Sequence, residues 1–394
     1  MNELLKFYEQ HKISPVSQDI SDLYLHFSRR TGLYRTLGLP PLLFKGRDIL
    51  EVAPGSGFNS IVTASFGARS YDLVEPNTTG FNKMVSVFEK SNIGNTAVQF
   101  FNCRLDEYRE QRSYDVILCE GLIQGLENQE QFVLSLAKFL RPGGILVLTC
   151  SDAISLFFET LRQYISRILV AQARSATPSA IDFVQITEML TEVFSSHLGS
   201  LKGRSRPTSD WVQDVLLNPT GTSESLQNEF SFAKCMEIFG GEFWLYGMSP
   251  NFLTNFGWYK ELSPEPKIYN QAYLESFYNQ WQCLLHYREV GRSEAKHNFL
   301  LHDLCRQFAE TVAGKAPLNP PELSHQAILQ ELEPVRQILA LTENCDMDLS
   351  RAALVQFLNL FAKGMPTPSD IAQAGAFGAA FGRGQQYISL VKPE

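Results

Sequence analysis

Residues 50–60 read LEVAPGSGFNS, and this stretch decides the fold. An apolar run ends at Val52, glycines stand at 55 and 57, and a second apolar run begins at Ile61. A glycine-rich turn between a strand and a helix lets a ligand approach the main chain, and the N-terminus of the following helix offers unpaired N–H groups. A tight turn that needs glycine only for a positive φ is the alternative, and a GxG pair by itself does not decide between them.

The residues on either side of this turn alternate between short apolar runs and helix-length spacers. The runs are RDILEVAP, RSYDLVEPN, AVQFFNC, YDVILCEG and GGILVLTC. Strands that alternate with helices indicate βαβ units and a parallel sheet. The runs VILC and ILVL contain no polar residue, which is typical of central strands buried on both faces. The sequence predicts an α/β fold with a Rossmann-like, mostly parallel sheet.

Beyond Cys150 the regular alternation stops. The spacing predicts long helices in SLFFETLRQYISRILVAQA and over residues 183–194, and mostly helical structure over 269–363, interrupted at GKAPLNPPEL. EFWLYG, which lies between glycines and a proline, and QYISLVK, which alternates along its length, are predicted to be two further strands. The predicted segments are an N-terminal helical cap (1–45), the core (46–150), a helical insertion or substrate lid (151–240), a core strand with an aromatic loop (241–265), a second helical insertion (266–376) and the closing strand (377–394).

Two carboxylates and one missing glycine narrow the choice of ligand. Glu75 ends the next strand, twenty residues after Gly55 (75 − 55), where an acidic side chain can bind both hydroxyls of a ribose. Glu51 comes before the turn. Position 60 holds Ser60, where the dinucleotide fingerprint has a third glycine for close packing of helix on strand. This difference argues against a dehydrogenase.

Four motifs in order, LEVAPGSG, YDLVEPN, YDVILCEGL and FLRPGGILVLTC, resemble those of the class I S-adenosylmethionine-dependent methyltransferases. The resemblance covers about residues 45–150 and the closing strand, and consistency across several motifs is what such a hypothesis requires. It implies a methyltransferase with S-adenosylmethionine as cofactor. It also implies that EFWLYG and QYISLVK form the antiparallel pair that completes the sheet, so that both connections carry large insertions. The implied cofactor-binding residues are Glu51, Ala53, Pro54, Gly55, Ser56 and Gly57 at the methionine end, Glu75 at the ribose, Pro76 and Asn77 beside the adenine, and Cys119, Glu120 and Gly121 near the methyl group.

The adenine contacts depart from the family pattern. Aligning FFNCRLDEY with the motif puts Arg104 where the family often has an acid that meets the adenine amino group. Either Asp106 substitutes for that acid, or Leu105 meets the ring through its backbone.

Methyl transfer from a sulfonium needs alignment above all, and a base only where the acceptor must lose a proton. Glu120, at the end of a central strand, is the candidate base or acceptor anchor; a helix-capping or solvated carboxylate is the equal alternative. The seven histidines form no clean metal set, so no metal is predicted.

Two loops are candidates for the acceptor site. The expected substrate-binding residues are Arg204, Arg206, Asp210 and Trp211 in the first loop and Tyr246, Asn255 and Trp258 in the second. Arg204 and Arg206 together would clamp an anion, and aromatic residues mixed with amides suit a sugar or another small polar molecule. The alternative is that the tryptophans only attach the insertion to the sheet.

Composition limits the partners and the compartment. The net charge of −8 and the absence of a basic run argue against a nucleic-acid partner. Seven cysteines without a CxxC pair indicate reduced thiols, and neither a secretory signal nor a membrane span is expected, so a cytoplasmic bacterial enzyme is predicted. Its acceptor is expected to be a small molecule or a glycan precursor, and a homodimer is left open. The alternatives are methylation of a protein side chain or an amino-acid-like metabolite, and a non-catalytic binding subunit.

Overall fold

The computed structural model describes residues 3–14, 18–91, 93–94, 96–110, 112–176, 181–254, 256–261, 263–343 and 346–394. These residues form two compact units, and the chain passes between them four times. The first unit comprises Met1–Ser151, Phe230–Ser276 and Gln385–Glu394, and the second comprises Asp152–Glu229 and Phe277–Gly384.

The first unit is built on one seven-stranded sheet. Its strands are β1 Asp48–Val52, β2 Ser70–Val74, β3 Ala97–Phe101, β4 Tyr114–Cys119, β5 Leu140–Cys150, β6 Trp244–Ser249 and β7 Gln386–Val391. The order across the sheet is β3-β2-β1-β4-β5-β7-β6; β1 to β5 pair in parallel, and β7 is antiparallel to β5 and β6. The predicted fold class is confirmed, as is the antiparallel pair that closes the sheet.

Helices make up most of the remaining structure. They are α1 Glu3–His11, α2 Leu23–Thr36, α3 Ser60–Ala64, α4 Thr78–Lys90, α5 Gln129–Lys138, α6 Phe157–Ala176, α7 Phe183–Gly199, α8 Thr208–Trp211, α9 Thr222–Ser225, α10 Phe232–Phe239, α11 Pro266–Tyr278, α12 Ala295–Ala313, α13 His325–Glu331, α14 Glu333–Thr342, α15 Asp348–Leu360, α16 Pro368–Ala372 and α17 Gly375–Ala379. The helices predicted after Cys150 are confirmed, and the GKAPLNPPEL stretch lies between α12 and α13, as expected.

Apolar residues explain why β1 and β4 are central. Every residue of β1 is buried, and Ile117 and Leu118 of β4 are inaccessible. The core on one side of the sheet also contains Tyr34 and Leu37, so α2 and the turn after it share the hydrophobic core of the first unit. Burial on both faces is what strands in a parallel sheet require.

The RPGG sequence lies inside β5 and does not precede it. Tyr114 pairs with Leu140 and Val116 pairs with Ile145, so residues 141–144 stand opposite the single residue Asp115. Gly143 has a φ of 70°, which glycine adopts without strain. The RPGG stretch therefore interrupts the regular pairing of β5 with β4 as a bulge.

The second unit is helical, and its longest helix is buried all round instead of on one face. In α6 nearly every residue from Phe157 to Ala171 is buried, including Arg162 and Arg167. Other helices of the unit, α9 and α12 among them, pack against α6, so its polar residues are covered as well as its apolar ones.

The predicted six-segment division remains a prediction. The structure places Phe230–Ser276, with α10 and β6, in the first unit, whereas the expectation assigned residues 230–240 to an insertion.

Candidate functional site

The loop after β1 lies at the point where the strand order reverses. β2 and β3 extend from one side of β1, and β4 and β5 from the other. Open α/β sheets bind ligands at such a switch point, outside the carboxyl ends of the strands. Gly55, Gly57 and Ala53 in this loop have φ values of 60°, 74° and 59°. A Cβ on Gly57 would stand 2.7 Å from Cγ of Met84, so both the dihedral angle and the available space require glycine there.

Glu75 fastens this loop to the start of α4. Its Oε2 accepts a hydrogen bond from the Gly55 N–H at 2.8 Å, and its Oε1 accepts from the Asn77 N–H at 2.8 Å. The Asn77 side chain caps α4 by accepting from the Gly80 N–H at 2.6 Å. Burial raises the pKa of Glu75 to about 7. The carboxyl group predicted at the ribose therefore also shapes the loop.

Glu51 is buried next to this loop, where it accepts a hydrogen bond from the Tyr71 hydroxyl. Burial and the nearby charge of Glu120 together raise the pKa of Glu51 to about 7, while its hydrogen bonds and Arg30 act in the opposite direction. Two carboxyl groups and one guanidinium group thus act on each other at the ends of β1 and β4.

Glu120, the candidate catalytic residue, forms an ion pair that the sequence reasoning did not predict. Arg30 of α2 donates to both of its carboxylate oxygens, at 2.8 and 2.9 Å. Arg30 also donates to the Tyr34 hydroxyl at 2.9 Å, and that hydroxyl is 2.7 Å from Oγ1 of Thr63. A sequence signal was available, because Arg30 and Tyr34 are four residues apart and lie on one face of a helix.

The other predicted residues at the end of β4 differ in exposure. Cys119 is inaccessible, and burial raises the pKa of its thiol, so the thiol stays protonated. Gly121 has a φ of 80°, and its N–H donates to Oγ1 of Thr149 at 2.7 Å. The structure therefore brings Cys119, Glu120 and Gly121 to the switch point, with Cys119 as a packing residue.

On the predicted adenine side the acidic candidate is exposed. Asp106 forms an ion pair with Arg104 at 2.8 Å, and Leu105 is half-buried. Asn102, which the sequence reasoning did not select, donates from Nδ2 to the Glu75 carbonyl oxygen at 2.8 Å. The choice between Asp106 and Leu105 stays a prediction.

Two buried donors near the switch point lack a partner within the described part of the chain: Nδ2 of Asn77 and Nε of Arg30. An unpaired buried donor costs about 1–3 kcal/mol, so such groups are usually satisfied by a ligand or by water. With the glycine loop and two buried carboxyl groups, these donors fit a polar ligand that has both hydroxyl groups and charged groups, as S-adenosylmethionine has.

The first acceptor loop belongs to the second unit, and its side chains already have protein partners. Arg206 donates to Asp214 at 2.7 Å, and Arg204 donates to Oγ1 of Thr208 at 2.6 Å. Trp211 is 9% exposed and packs edge-on against Phe194. Each of the two arginines thus has a partner within the loop, although Nε of Arg206 has none among the described residues, and Trp211 is buried. The anion clamp of Arg204 and Arg206 stays a prediction. Asp210, whose carbonyl oxygen accepts from Arg206 at 3.2 Å, remains a predicted substrate residue.

The second acceptor loop belongs to the first unit and is open to solvent. Tyr246 is 56% exposed and Trp258 is 60% exposed, and Nζ of Lys260 lies 4.8 Å from the centre of the Trp258 ring. Asn255 lies outside the described residues.

Among the residues that the structure describes, no group of three or more His, Cys, Asp or Glu is arranged to hold a metal ion. Within the same residues, none of the helices combines the length and apolar character needed to span a bilayer.

Comparison with known proteins shows which proteins part of the chain is similar to. A family described as "Methyltransferase domain" matches residues 24–188. The ubiquinone biosynthesis O-methyltransferase of Rickettsia akari (strain Hartford) is 24% identical over 166 residues, which are 41% of this chain and 56% of that protein. The enzyme of the same name from Rickettsia conorii (strain ATCC VR-613 / Malish 7) is 26% identical over 127 residues, 32% of this chain and 40% of that protein.

Solved methyltransferase structures match a similar fraction of this chain. The N-methyltransferase NodS from Bradyrhizobium japonicum WM9, in complex with S-adenosyl-l-homocysteine, has a TM-score of 0.30 at 14% identity, covering 37% of this chain and 74% of that one. Phosphoethanolamine N-methyltransferase 1 from Haemonchus contortus has a TM-score of 0.30 at 19% identity, covering 38% of this chain and 31% of that one.

The chain spans about half the length of the curated relatives that it matches. Its matched segment includes β1 to β5, the glycine loop, Glu75 and Glu120. Residues 24–188 therefore match a methyltransferase domain, and the motifs within this segment resemble those of the class I S-adenosylmethionine-dependent family.

Proposed function

We propose that this chain is an S-adenosylmethionine-dependent methyltransferase that works by in-line displacement. The observation that carries the proposal is the Glu75 arrangement at the switch point, where one buried carboxyl group binds both the glycine loop and the first turn of α4. Such a crevice, with backbone N–H groups and a carboxyl group together, suits the adenosine of the cofactor.

The proposed cofactor contacts follow the strand ends. Glu51 and the loop residues 53–57 hold the methionine end and Glu75 holds the ribose. Asn77 contributes Nδ2, which has no partner in the described part of the chain, on the adenine side. Pro76 and either Leu105 or Asp106 border the adenine. Cys119, Glu120 and Gly121 are the residues proposed near the methyl group, with Glu120 and Gly121 toward it and Cys119 packed behind them.

When bound, the cofactor supplies an electrophilic methyl group on a sulfonium. The chain's own contribution is alignment and exclusion of water, and proximity of this kind can supply about 7–11 kcal/mol in favourable cases. Glu120 is the proposed anchor for the acceptor, because Arg30 holds its side chain in one orientation. Its use as a base would require the proton to reach an oxygen that already accepts from Arg30.

For the acceptor we propose a hydroxyl of a small polar molecule, such as a sugar or a glycan precursor. The exposed rings of Tyr246 and Trp258 support this, since aromatic surfaces bind the apolar faces of small polar ligands. The relatives are named as O-methyltransferases, which supports oxygen as the acceptor atom. A protein side chain or an amino-acid-like metabolite remains the second candidate acceptor.

The acidic net charge of −8 supports a small-molecule partner over a nucleic acid and fits a cytoplasmic enzyme. A homodimer is tested directly by light scattering after gel filtration.

The test is isothermal titration of the purified chain with S-adenosylmethionine and, separately, with NAD. We expect micromolar binding of the first and none of the second. Release of S-adenosylhomocysteine is then measured with sugars, phenols and amino acids as acceptors. Absence of S-adenosylmethionine binding would reject the enzyme and favour a binding subunit that has kept the fold.

A further inference from the structure

Several of the points at which the chain enters and leaves the second unit are bound to one another within that unit. The entry turn, residues 152–155, is where the chain first enters, and Glu229 and Gly384 are where it leaves. The Ala153 N–H donates to Oε2 of Glu229 at 3.0 Å, and the Gly384 N–H donates to the Ser155 carbonyl oxygen at 3.0 Å. The entry turn therefore binds both exits of the chain from this unit.

Glu229 is also held by a histidine. Its Oε1 lies 2.7 Å from Nε2 of His302 on α12, and the two side chains are only 15% and 10% exposed. The His302 ring is stacked on the Trp281 ring, with the ring centres 4.4 Å apart and 25° between the planes. A hydrogen bond to a carboxylate is roughly twice as strong from a charged donor, so the hold on Glu229 depends on the proton of the imidazole.

Other ionisable groups act on this pair. Asp152 of the entry turn is inaccessible to solvent, and its charge acts on both members. Asp303 stands on the exposed side, with Oδ1 3.9 Å from Nδ1 of His302, and Arg306 opposes protonation of the imidazole. Burial raises the pKa of the Cys305 thiol well above its usual range, so this thiol stays protonated. Two carboxyl groups with little access to solvent thus face one histidine.

The balance of these effects favours the protonated imidazole. Burial lowers the pKa of His302, but the hydrogen bond and charge of Glu229, with the charge of Asp152, outweigh burial and hold the pKa above its ordinary value of 6.5. The resulting stabilisation is complete below pH 6.5 and is lost as the pH rises through the higher pKa of the folded state. Burial, together with Glu229, also raises the pKa of Asp152, so a rising pH adds a second negative charge to the cluster.

We infer that Asp152, Glu229 and His302 form a pH-sensitive clasp, which holds the entry turn to Glu229 while the imidazole is protonated and loosens when the proton leaves. One residue separates the entry turn from the end of β5, and one residue separates Gly384 from the start of β7. The clasp therefore controls the order of the chain next to two strands of the sheet. None of its residues belongs to the proposed cofactor or acceptor site, so the inference stands apart from the proposed function.

Hydrogen exchange of the full chain, measured by mass spectrometry, tests the clasp, because the Ala153 N–H is bonded to Glu229. After correction for the intrinsic exchange rate, we expect the protection of residues 152–155 to fall about 10-fold between pH 6 and pH 9, the usual worth of one charge-assisted hydrogen bond. Glu229→Gln keeps an oxygen for Ala153 but removes the charge, and should show equal protection at both pH values. The matched control is Glu192→Gln, on the exposed face of α7, which should retain the fall seen in the wild type.

Circular dichroism first establishes that each variant is folded. If Glu229→Gln does not fold, His302→Gln takes its place and should show at pH 6 the low protection that the wild type has only at pH 9. Its control is His297→Gln, at an exposed position of the same helix. Protection of the wild-type turn that stays constant from pH 6 to pH 9 would overturn the inference. A fall in the Glu229 variant as large as that in the wild type would overturn it as well, as would wild-type protection at pH 6 in the His302 variant.

Discussion

Buried arginines occur in both units, and they differ in how completely their donors are used. In the second unit, Arg162 donates from all three nitrogens: to Nδ1 of His197 at 3.4 Å, and to carbonyl oxygens that include those of Phe158 and Ala380 at 3.1 and 2.8 Å. In the first unit, Arg30 binds a carboxylate and a hydroxyl, and its Nε has no partner among the residues that the structure describes. A fully satisfied buried arginine is structural, whereas an incompletely satisfied one at a strand end indicates a ligand.

The pKa values of Arg162 and Arg30 are shifted in opposite directions. Burial lowers the pKa of Arg162 to about 10, with partial compensation from Glu159. Glu120 raises the pKa of Arg30 against an opposing effect of burial. Arg162 is therefore held mainly by backbone dipoles, and Arg30 by an opposite charge that belongs to the site.

The largest expected effect is on stability, from Arg162→Met. Removing the guanidinium leaves several buried carbonyl oxygens without a donor, and we expect the free energy of unfolding of the second unit to fall by about 3–5 kcal/mol. Urea denaturation followed by far-UV circular dichroism measures it. The control is Arg292→Met, at an exposed position of the same unit. A midpoint shift equal to that of the control would contradict the structural role of Arg162.

Trp211 and Trp258 sharpen the contrast between the two acceptor loops. Trp211→Ala should cost about 3–5 kcal/mol of stability, since it empties a core position beside Phe194, while cofactor affinity stays the same. Trp258→Ala, at an exposed position, should change stability by less than about 0.5 kcal/mol. Thermal melting and calorimetry together distinguish the two. Equal destabilisation by both substitutions would refute the assignment of Trp211 to the core and Trp258 to the surface.

The buried carboxyl groups make the stability of the first unit depend on pH. The pKa of Glu51 rises from 4.5 to about 7 on folding, so the folded state binds its proton more tightly than the unfolded state. Stability is therefore highest below about pH 4.5 for this group and falls as the pH rises to about 7, by no more than about 3 kcal/mol.

Glu51→Gln should flatten this part of the stability profile, measured by urea denaturation at several pH values between 5 and 8. Glu130→Gln, on the exposed face of α5, serves as the control and should leave the slope unchanged. An unchanged slope in the Glu51 variant would show that Glu51 is ionised throughout this range. Glu75 has a similarly raised pKa and should add to the same slope.

The smallest of the four effects concerns the ligand. Glu75→Ala removes the acceptor for two loop N–H groups and for the ribose hydroxyls, and should weaken S-adenosylmethionine binding by about 1.5–3 kcal/mol. Calorimetry against Glu130→Ala measures the difference. Wild-type affinity in the Glu75 variant would reject the placement of the ribose.

Much of the first unit could be predicted because its signals are local. The period of the apolar residues predicted the sheet, and the glycine pair with Glu75 twenty residues later predicted the loop and its acidic partner. The ion pair of Arg30 with Glu120 was not predicted, because the two residues are ninety positions apart. No local pattern in the sequence connects an arginine on a helix to the end of a distant strand.

In the second unit, local sequence signals were a poor guide to the role of individual side chains. Arg206 and Trp211 lie in a turn-rich stretch of the kind that carries binding residues, yet Arg206 pairs with Asp214 and Trp211 packs against Phe194. Whether a polar side chain is free depends on neighbours that the sequence does not identify.

The sequence by itself determined the parallel sheet, the closing antiparallel pair, the glycine loop and the family resemblance, because strand period and turn chemistry act over a few residues. Only the tertiary structure decided which charged groups pair with other groups of the protein and which have a donor or acceptor available to a ligand. Burial, partner atoms and pKa values arise where distant segments meet, as Arg30 meets Glu120 and Glu75 meets Gly55.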